Sequence, residues 1–77
     1  MAAGIVLVKL VPGEEMQSLE NIKKIGGVKG ITATFGHWDA VATVEAKDLE
    51  TLASVVVGKM RAARGVANTE TLIEVKL

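Results

Sequence analysis

Cysteine is absent from this 77-residue sequence, and histidine occurs once, at His37. The lack of thiols excludes disulfides, thiolate nucleophiles and thiolate-rich zinc sites. A metal ion at the single imidazole would need carboxylates for all its other protein ligands, so we expect no metal and no cofactor. Because nothing in the composition calls for an oxidising compartment, the expected location is the cytoplasm.

An excess of one charge is also missing, since nine Lys and Arg balance nine Asp and Glu. A neutral chain has no strong positive field to attract nucleic-acid phosphates, so we expect no direct DNA binding. Long hydrophobic runs are missing as well. The longest, Ile5 to Val8, is far below the roughly 20 residues of a membrane helix, and no signal peptide precedes it. The sequence therefore predicts no membrane partner.

Apolar residues, in contrast, are plentiful: 49% of the chain is hydrophobic, although only 3% is aromatic, and the mean hydropathy is +0.37. A chain of this length buries only about 60–65% of the surface that its unfolded form exposes. We therefore expect residues 1–77 to form a single domain, part of whose apolar surface needs a partner.

The first half of the chain predicts a strand, a helix and a second strand. Ile5–Val11 is rich in β-branched residues and stops at Pro12-Gly13, which predicts the first strand. Val28–Phe35 alternates between apolar and polar residues, which predicts the second. Between them, Glu14–Ile25 has the spacing of a helix that ends at Gly26-Gly27, with its apolar positions at Met16, Leu19 and Ile22.

The second half of the chain also predicts a strand, a helix and another strand, in that order. Residues 36–39 form a turn of about four residues that leads into a return strand, Ala40–Glu45. Asp48 is placed to cap a second helix, which ends at Gly65, and Asn68–Val75 alternates as a fourth strand. Gly58 inside this helix is unfavourable. The helix would bury an apolar stripe formed by Leu49, Leu52, Ala53, Val56, Met60 and Ala63.

The order β-α-β-β-α-β predicts an α+β, ferredoxin-like fold, in which both helices cover one face of an antiparallel four-stranded sheet. The first strand has no polar side, because Val6, Val8 and Leu10 alternate with other apolar residues such as Ile5 and Leu7. We therefore expect the helix-free face to be buried in a symmetric homodimer that stacks sheet on sheet.

The chemistry-bearing residues cluster in the central turn and the last strand. Asp39 could attract a ligand ammonium or simply bond the backbone of its turn. Trp38 could wall a small-molecule pocket or cap the edge of the core. His37 and Asp39 could also form an acid/base pair. Thr69 and Thr71 share one side of the last strand, where they either support strand formation or hold a carboxylate.

Four motifs are spread along nearly the whole chain: Pro12-Gly13, Gly27-Val28, Gly36-His37-Trp38-Asp39 and Asn68 to Ile73. Together they resemble the effector-binding (RAM) domain of Lrp/AsnC transcriptional regulators. The resemblance implies sheet-to-sheet dimers that assemble into higher oligomers, with free amino acids bound in clefts between dimers. Full-length regulators also carry an N-terminal helix-turn-helix domain, so this chain resembles a stand-alone form. Family members often have Glu-Tyr in place of His37-Trp38. The ligand-binding residues that the resemblance implies are Gly36, Trp38, Asp39, Thr69 and Thr71.

The leading hypothesis is therefore an amino-acid sensor that is not an enzyme and that acts on transcription through partners, including full-length Lrp/AsnC regulators. One alternative is a small dimeric α+β barrel enzyme of the isomerase or oxygenase type that uses His37 and Asp39. Another is an ACT-like amino-acid-binding domain, although such domains favour a site after the first strand, whereas here the informative residues lie elsewhere.

Overall fold

A computed structural model describes residues 1–75 as a four-stranded sheet with two helices, in the predicted order. The strands form where β-branched residues alternate, and the helices form where apolar residues recur every three or four positions. A π-helical segment, Val56–Met60, continues the second helix. The elements are β1 (Ala2–Leu10), α1 (Glu15–Lys23), β2 (Val28–Ala33), β3 (Ala40–Ala46), α2 (Leu49–Val55) and β4 (Val66–Ile73).

The strands lie in the order β2-β3-β1-β4, and all neighbours are antiparallel. β1 is therefore a central strand. Val8 lies between Ala40 of β3 and Thr69 of β4, and Leu7 lies between Val41 and Glu70. This register brings the start of β3, where the central turn ends, close to the end of β1.

The core lies between the sheet and the helices. One side of β1 is buried, as the alternation predicts, and both helices cover it. The ferredoxin-like α+β class is confirmed. The buried apolar residues are Val6, Val8, Leu10, Ile22, Ala40, Ala42, Val44, Leu52, Val56 and Met60.

The other side of the sheet has no helix over it. Ile5 and Leu72 lie opposite each other there and are 43% and 47% exposed, and Leu7 and Val41 are half-buried beside them. We call these four residues the open sheet face. Apolar residues of β1 thus lie on both sides of the sheet.

Both helices present partly different faces from those predicted. Met16 is 76% exposed, and Ser18 is buried in its place on the core side of α1, one turn before Ile22. The Ser18 hydroxyl donates a hydrogen bond to the Arg64 carbonyl (2.8 Å), which allows a polar side chain at a buried position. In α2, Leu49 is 56% exposed and Ala53 is also exposed, so the predicted apolar stripe was too wide.

Several element boundaries also differ from those predicted. β1 begins at Ala2 and ends before Val11, whose N–H bonds the Gly65 carbonyl instead (2.8 Å). α1 ends two residues early, and β4 is shifted towards the N-terminus by two residues. The loop between β2 and β3 spans residues 34–39 rather than four residues, and Phe35 is fully exposed in it.

No helix within residues 1–75 combines the length and the apolar character that crossing a membrane requires.

Candidate ligand-binding site

Asp39 joins the central turn to β3, and both its backbone and its side chain are anchored. Its N–H donates to the Val8 carbonyl, and its own carbonyl accepts from the Thr34 N–H, each at 2.9 Å. Its Oδ2 accepts from the backbone N–H of Leu10 at 2.8 Å. Asp39 therefore bonds the neighbouring strand β1, not merely its own turn, and its carboxylate has a defined orientation at the end of the sheet.

Lys9 lies beside this carboxylate. Its Nζ donates to the His37 carbonyl at 3.0 Å and is 3.9 Å from Asp39 Oδ2. Both charged side chains are partly solvated, so the ion pair contributes little stability. Sequence reasoning missed Lys9, although it is the only charged residue in the predicted first strand. It ties the central turn to β1.

The rest of the turn directly precedes Asp39 and has its own internal contacts. Gly36 has φ of +132°, a backbone conformation that favours glycine. The Trp38 carbonyl accepts from the Thr34 hydroxyl at 2.7 Å. The Trp38 ring is half-buried and meets the His37 ring edge-on, with the ring centroids 5.3 Å apart. Gly36, Trp38 and Asp39 thus lie together in the turn before β3.

His37 does not form the geometry of an acid/base pair with Asp39. In residues 1–75, the hydrogen bond to the Asp39 carboxylate comes from Leu10, and His37 contributes its carbonyl to Lys9. No group of three or more potential metal-ligating side chains occurs in the same part of the chain.

Thr69 and Thr71 lie on the far side of β1 from Asp39. They pair with Val8 and Val6, whose side chains are buried under the helices, so the two threonines also project from the helix-covered side of the sheet. Because β1 intervenes, two strand spacings of about 4.8 Å put their backbone about 10 Å from that of Asp39. One chain therefore does not bring all five predicted residues together.

Shallow depressions indent the described surface, and two of them border the sheet. The larger, about 380 Å³, lies on the helix-free side between the ends of β1, β3 and β4, and its lining includes Ile5, Thr43 and Leu72 but none of the five predicted residues. The smaller, about 120 Å³, lies beside the start of β4 and includes Thr69.

The family model described as the Lrp/AsnC ligand binding domain matches residues 3–76. The chain belongs to this family.

One relative of this Lrp/AsnC domain is an uncharacterized HTH-type transcriptional regulator of Pyrococcus abyssi, 36% identical over 77% of this chain and 39% of the regulator. The chain thus spans well under half of that relative. The relative is described as a transcriptional regulator, and the matches give no support to the barrel-enzyme or ACT-like alternative.

Solved structures of other proteins share the fold of this chain. TTHA0845 from Thermus thermophilus superposes with a TM-score of 0.92 and 30% identity, over 100% of this chain and 96% of that one. The transcriptional regulator NMB0573 from Neisseria meningitidis, solved as a complex with L-Met, has a TM-score of 0.85. At 14% identity, over 97% of this chain and 50% of the regulator, it shows a shared fold only.

Proposed function

We propose that residues 1–77 act as a single effector-binding domain that binds a free amino acid and transmits the binding through its assembly. The match of residues 3–76 to a ligand-binding family carries the proposal. The L-Met complex of the Neisseria regulator supports an amino acid as the class of ligand.

Asp39 binds the ammonium group in this proposal. Its Oδ2 is held by Leu10, and that bond aims the carboxylate and leaves Oδ1 for the ligand. Trp38 supplies the apolar wall of the pocket, and Gly36 supports the turn that presents it. The competing cation is Lys9, which a ligand ammonium would partly displace from Asp39.

The carboxylate group of the ligand binds Thr69 and Thr71 of a different subunit. In an amino acid both charged groups are bonded to the same carbon and lie roughly 2.5 Å apart, given the N–Cα and Cα–C bond lengths. In one chain, β1 lies between Asp39 and the two threonines, which project from the helix-covered side of the sheet. A site completed between subunits brings the turn of one chain against β4 of another with no strand between them.

Assembly begins with a homodimer formed through the open sheet face. Ile5, Leu7, Val41 and Leu72 present apolar area that water would otherwise contact, and burying it contributes about 25 cal/mol per Å². Dimers then assemble further, which creates the clefts that join the turn of one dimer to β4 of another.

The domain acts on transcription through partners, in the cytoplasm and without an enzymatic step. Its nine positive and nine negative charges give little counterion release on DNA. Full-length Lrp/AsnC regulators carry a similar domain and are the proposed partners in mixed assemblies. In a mobility-shift assay at moderate salt, the purified chain is expected to leave duplex DNA unshifted at submicromolar concentration.

Calorimetric titration of the assembled protein with each free amino acid tests the proposal. Saturable binding of at least one amino acid is expected, with an accompanying change in mass by light scattering. If none binds while the oligomers remain intact, the proposed function is wrong.

A further inference from the structure

A surface depression that includes polar residues lies next to Thr69. The depression of about 120 Å³ there is bordered by the turn after the π-helical segment and the start of β4. Its lining residues are Arg61, Val66, Ala67, Asn68 and Thr69, of which three are polar and none is acidic.

The side chains that line the depression offer mainly hydrogen-bond donors. Arg61 has no carboxylate within 4.0 Å in residues 1–75, whereas the nearby Arg64 pairs with Glu14 at 3.2 Å. Asn68 Oδ1 accepts from the Thr69 N–H at 2.9 Å, which leaves the Asn68 amide group as a donor. The Thr69 hydroxyl is the third donor.

We propose that Arg61, Asn68 and Thr69 form a binding site for a carboxylate. A guanidinium presents parallel N–H donors that match the two oxygens of a carboxylate. The carboxylate site rests on the proposed function only because the carboxylate is taken to be that of the amino-acid effector. Arg61 then supplies the positive charge that the two threonines lack.

Acetate tests the site independently of any effector. In amide NMR spectra of the assembled protein, acetate is expected to shift the Ala67, Asn68 and Thr69 signals saturably, relative to chloride at equal ionic strength. Arg61→Gln should weaken this binding about tenfold or more, because a charged hydrogen bond is lost. Lys59→Gln removes the same charge from the same segment but lies outside the depression, and it should bind acetate like the unmodified protein.

Calorimetry with L-glutamate and L-glutamine identifies which carboxylate is bound. If Arg61→Gln weakens both ligands about equally, Arg61 binds the α-carboxylate; if it weakens glutamate alone, Arg61 binds the side chain. Either result supports the site. Unchanged acetate and amino-acid binding in Arg61→Gln, or an equal loss in Lys59→Gln, would overturn it.

The two proposals fail in different ways. Amino-acid binding that depends on Asp39 but not on Arg61 leaves the proposed function standing and refutes the carboxylate site. Acetate binding that depends on Arg61, without binding of any amino acid, supports the carboxylate site and refutes the proposed effector.

Discussion

At the scale of single residues, Asp39 has a structural and a proposed functional role at once. Its carboxylate accepts the Leu10 N–H, which is part-buried, and it lies beside Lys9 at the end of the sheet. Removing the side chain leaves that N–H without its acceptor, at a cost of about 1–3 kcal/mol. A substitution that deletes the whole side chain therefore changes stability and ligand binding at the same time. A substitution that removes only the charge keeps the acceptor for the Leu10 N–H, so it changes binding alone.

Asp39→Asn separates these roles. The amide oxygen can still accept from Leu10, so the melting temperature should change little, while an amino-acid ligand should bind at least tenfold more weakly because its ammonium loses an ionic partner. Asp39→Ala should lose both affinity and about 1–3 kcal/mol of stability. Calorimetric titration and thermal unfolding of the two variants check this. Unchanged affinity in Asp39→Asn would leave Asp39 with its structural role alone.

Gly65 gives a second prediction at this scale. Its φ is +86°, and a Cβ there would collide with the Ser18 hydroxyl, which is buried and bonded to Arg64. Gly65→Ala should destabilise the protein by about 2–4 kcal/mol, from backbone strain and overpacking together. Gly13→Ala is the matched control: φ is +91°, but nothing lies within 4 Å of the added Cβ. It should cost only about 1–2 kcal/mol. Equal losses in denaturant unfolding would contradict the collision.

At the scale of elements, local signals placed all four strands and both helices but not all their faces. Asp48 caps α2 as predicted, since its Oδ1 accepts from the Thr51 N–H at 2.7 Å. The face that each helix presents to the core was less predictable. The helix pattern allows Met16 or Ser18 to point inward, and the contact between Ser18 and Arg64, 46 positions apart, selects Ser18. That contact has no signature in the local pattern of α1.

The Asp48 cap predicts a pH dependence. Hydrogen bonds from Thr51, its hydroxyl first and its backbone N–H second, hold the pKa of Asp48 below its ordinary value of 3.8. A pKa lowered by folding adds stability that is complete above the unfolded pKa and is lost as the pH falls through the folded pKa.

Asp48→Asn tests this dependence, because asparagine also caps helices but does not titrate. The difference in free energy of unfolding between the unmodified protein and Asp48→Asn should favour the unmodified protein less at pH 2 than at pH 6. Urea unfolding at both pH values measures it, and taking the difference cancels the other carboxylates. A difference that is constant across this range would show that the cap does not depend on the Asp48 charge.

At the scale of the whole molecule, the open sheet face is an apolar surface that neither helix covers. A central strand that is apolar on both sides suits a sheet with cover on both sides, and the helices cover only one. The sequence predicts this imbalance from Ile5–Val11 alone, because apolar residues fall on both sides of that strand.

Leu7→Asp tests the proposed dimer. Leu7 is half-buried on the open sheet face, so an aspartate there should place a charge in the dimer interface and shift the protein to monomers at micromolar concentration. Met16→Asp, on an exposed part of α1, should leave the mass unchanged. Light scattering coupled to size-exclusion chromatography measures both. A stable monomer of the unmodified chain would contradict the stacked-sheet interface.

The sequence by itself determined the class of fold, the order of its elements and the residues of the central turn, because these depend on neighbours along the chain: alternation, capping and glycine at turns. Only the tertiary structure decided which groups meet. The bond between Asp39 and Leu10 spans 29 positions, and the position of Thr69 and Thr71 on the far side of β1 follows from the strand order. Such contacts depend on how sheet and helices pack together, and local periodicity does not encode them.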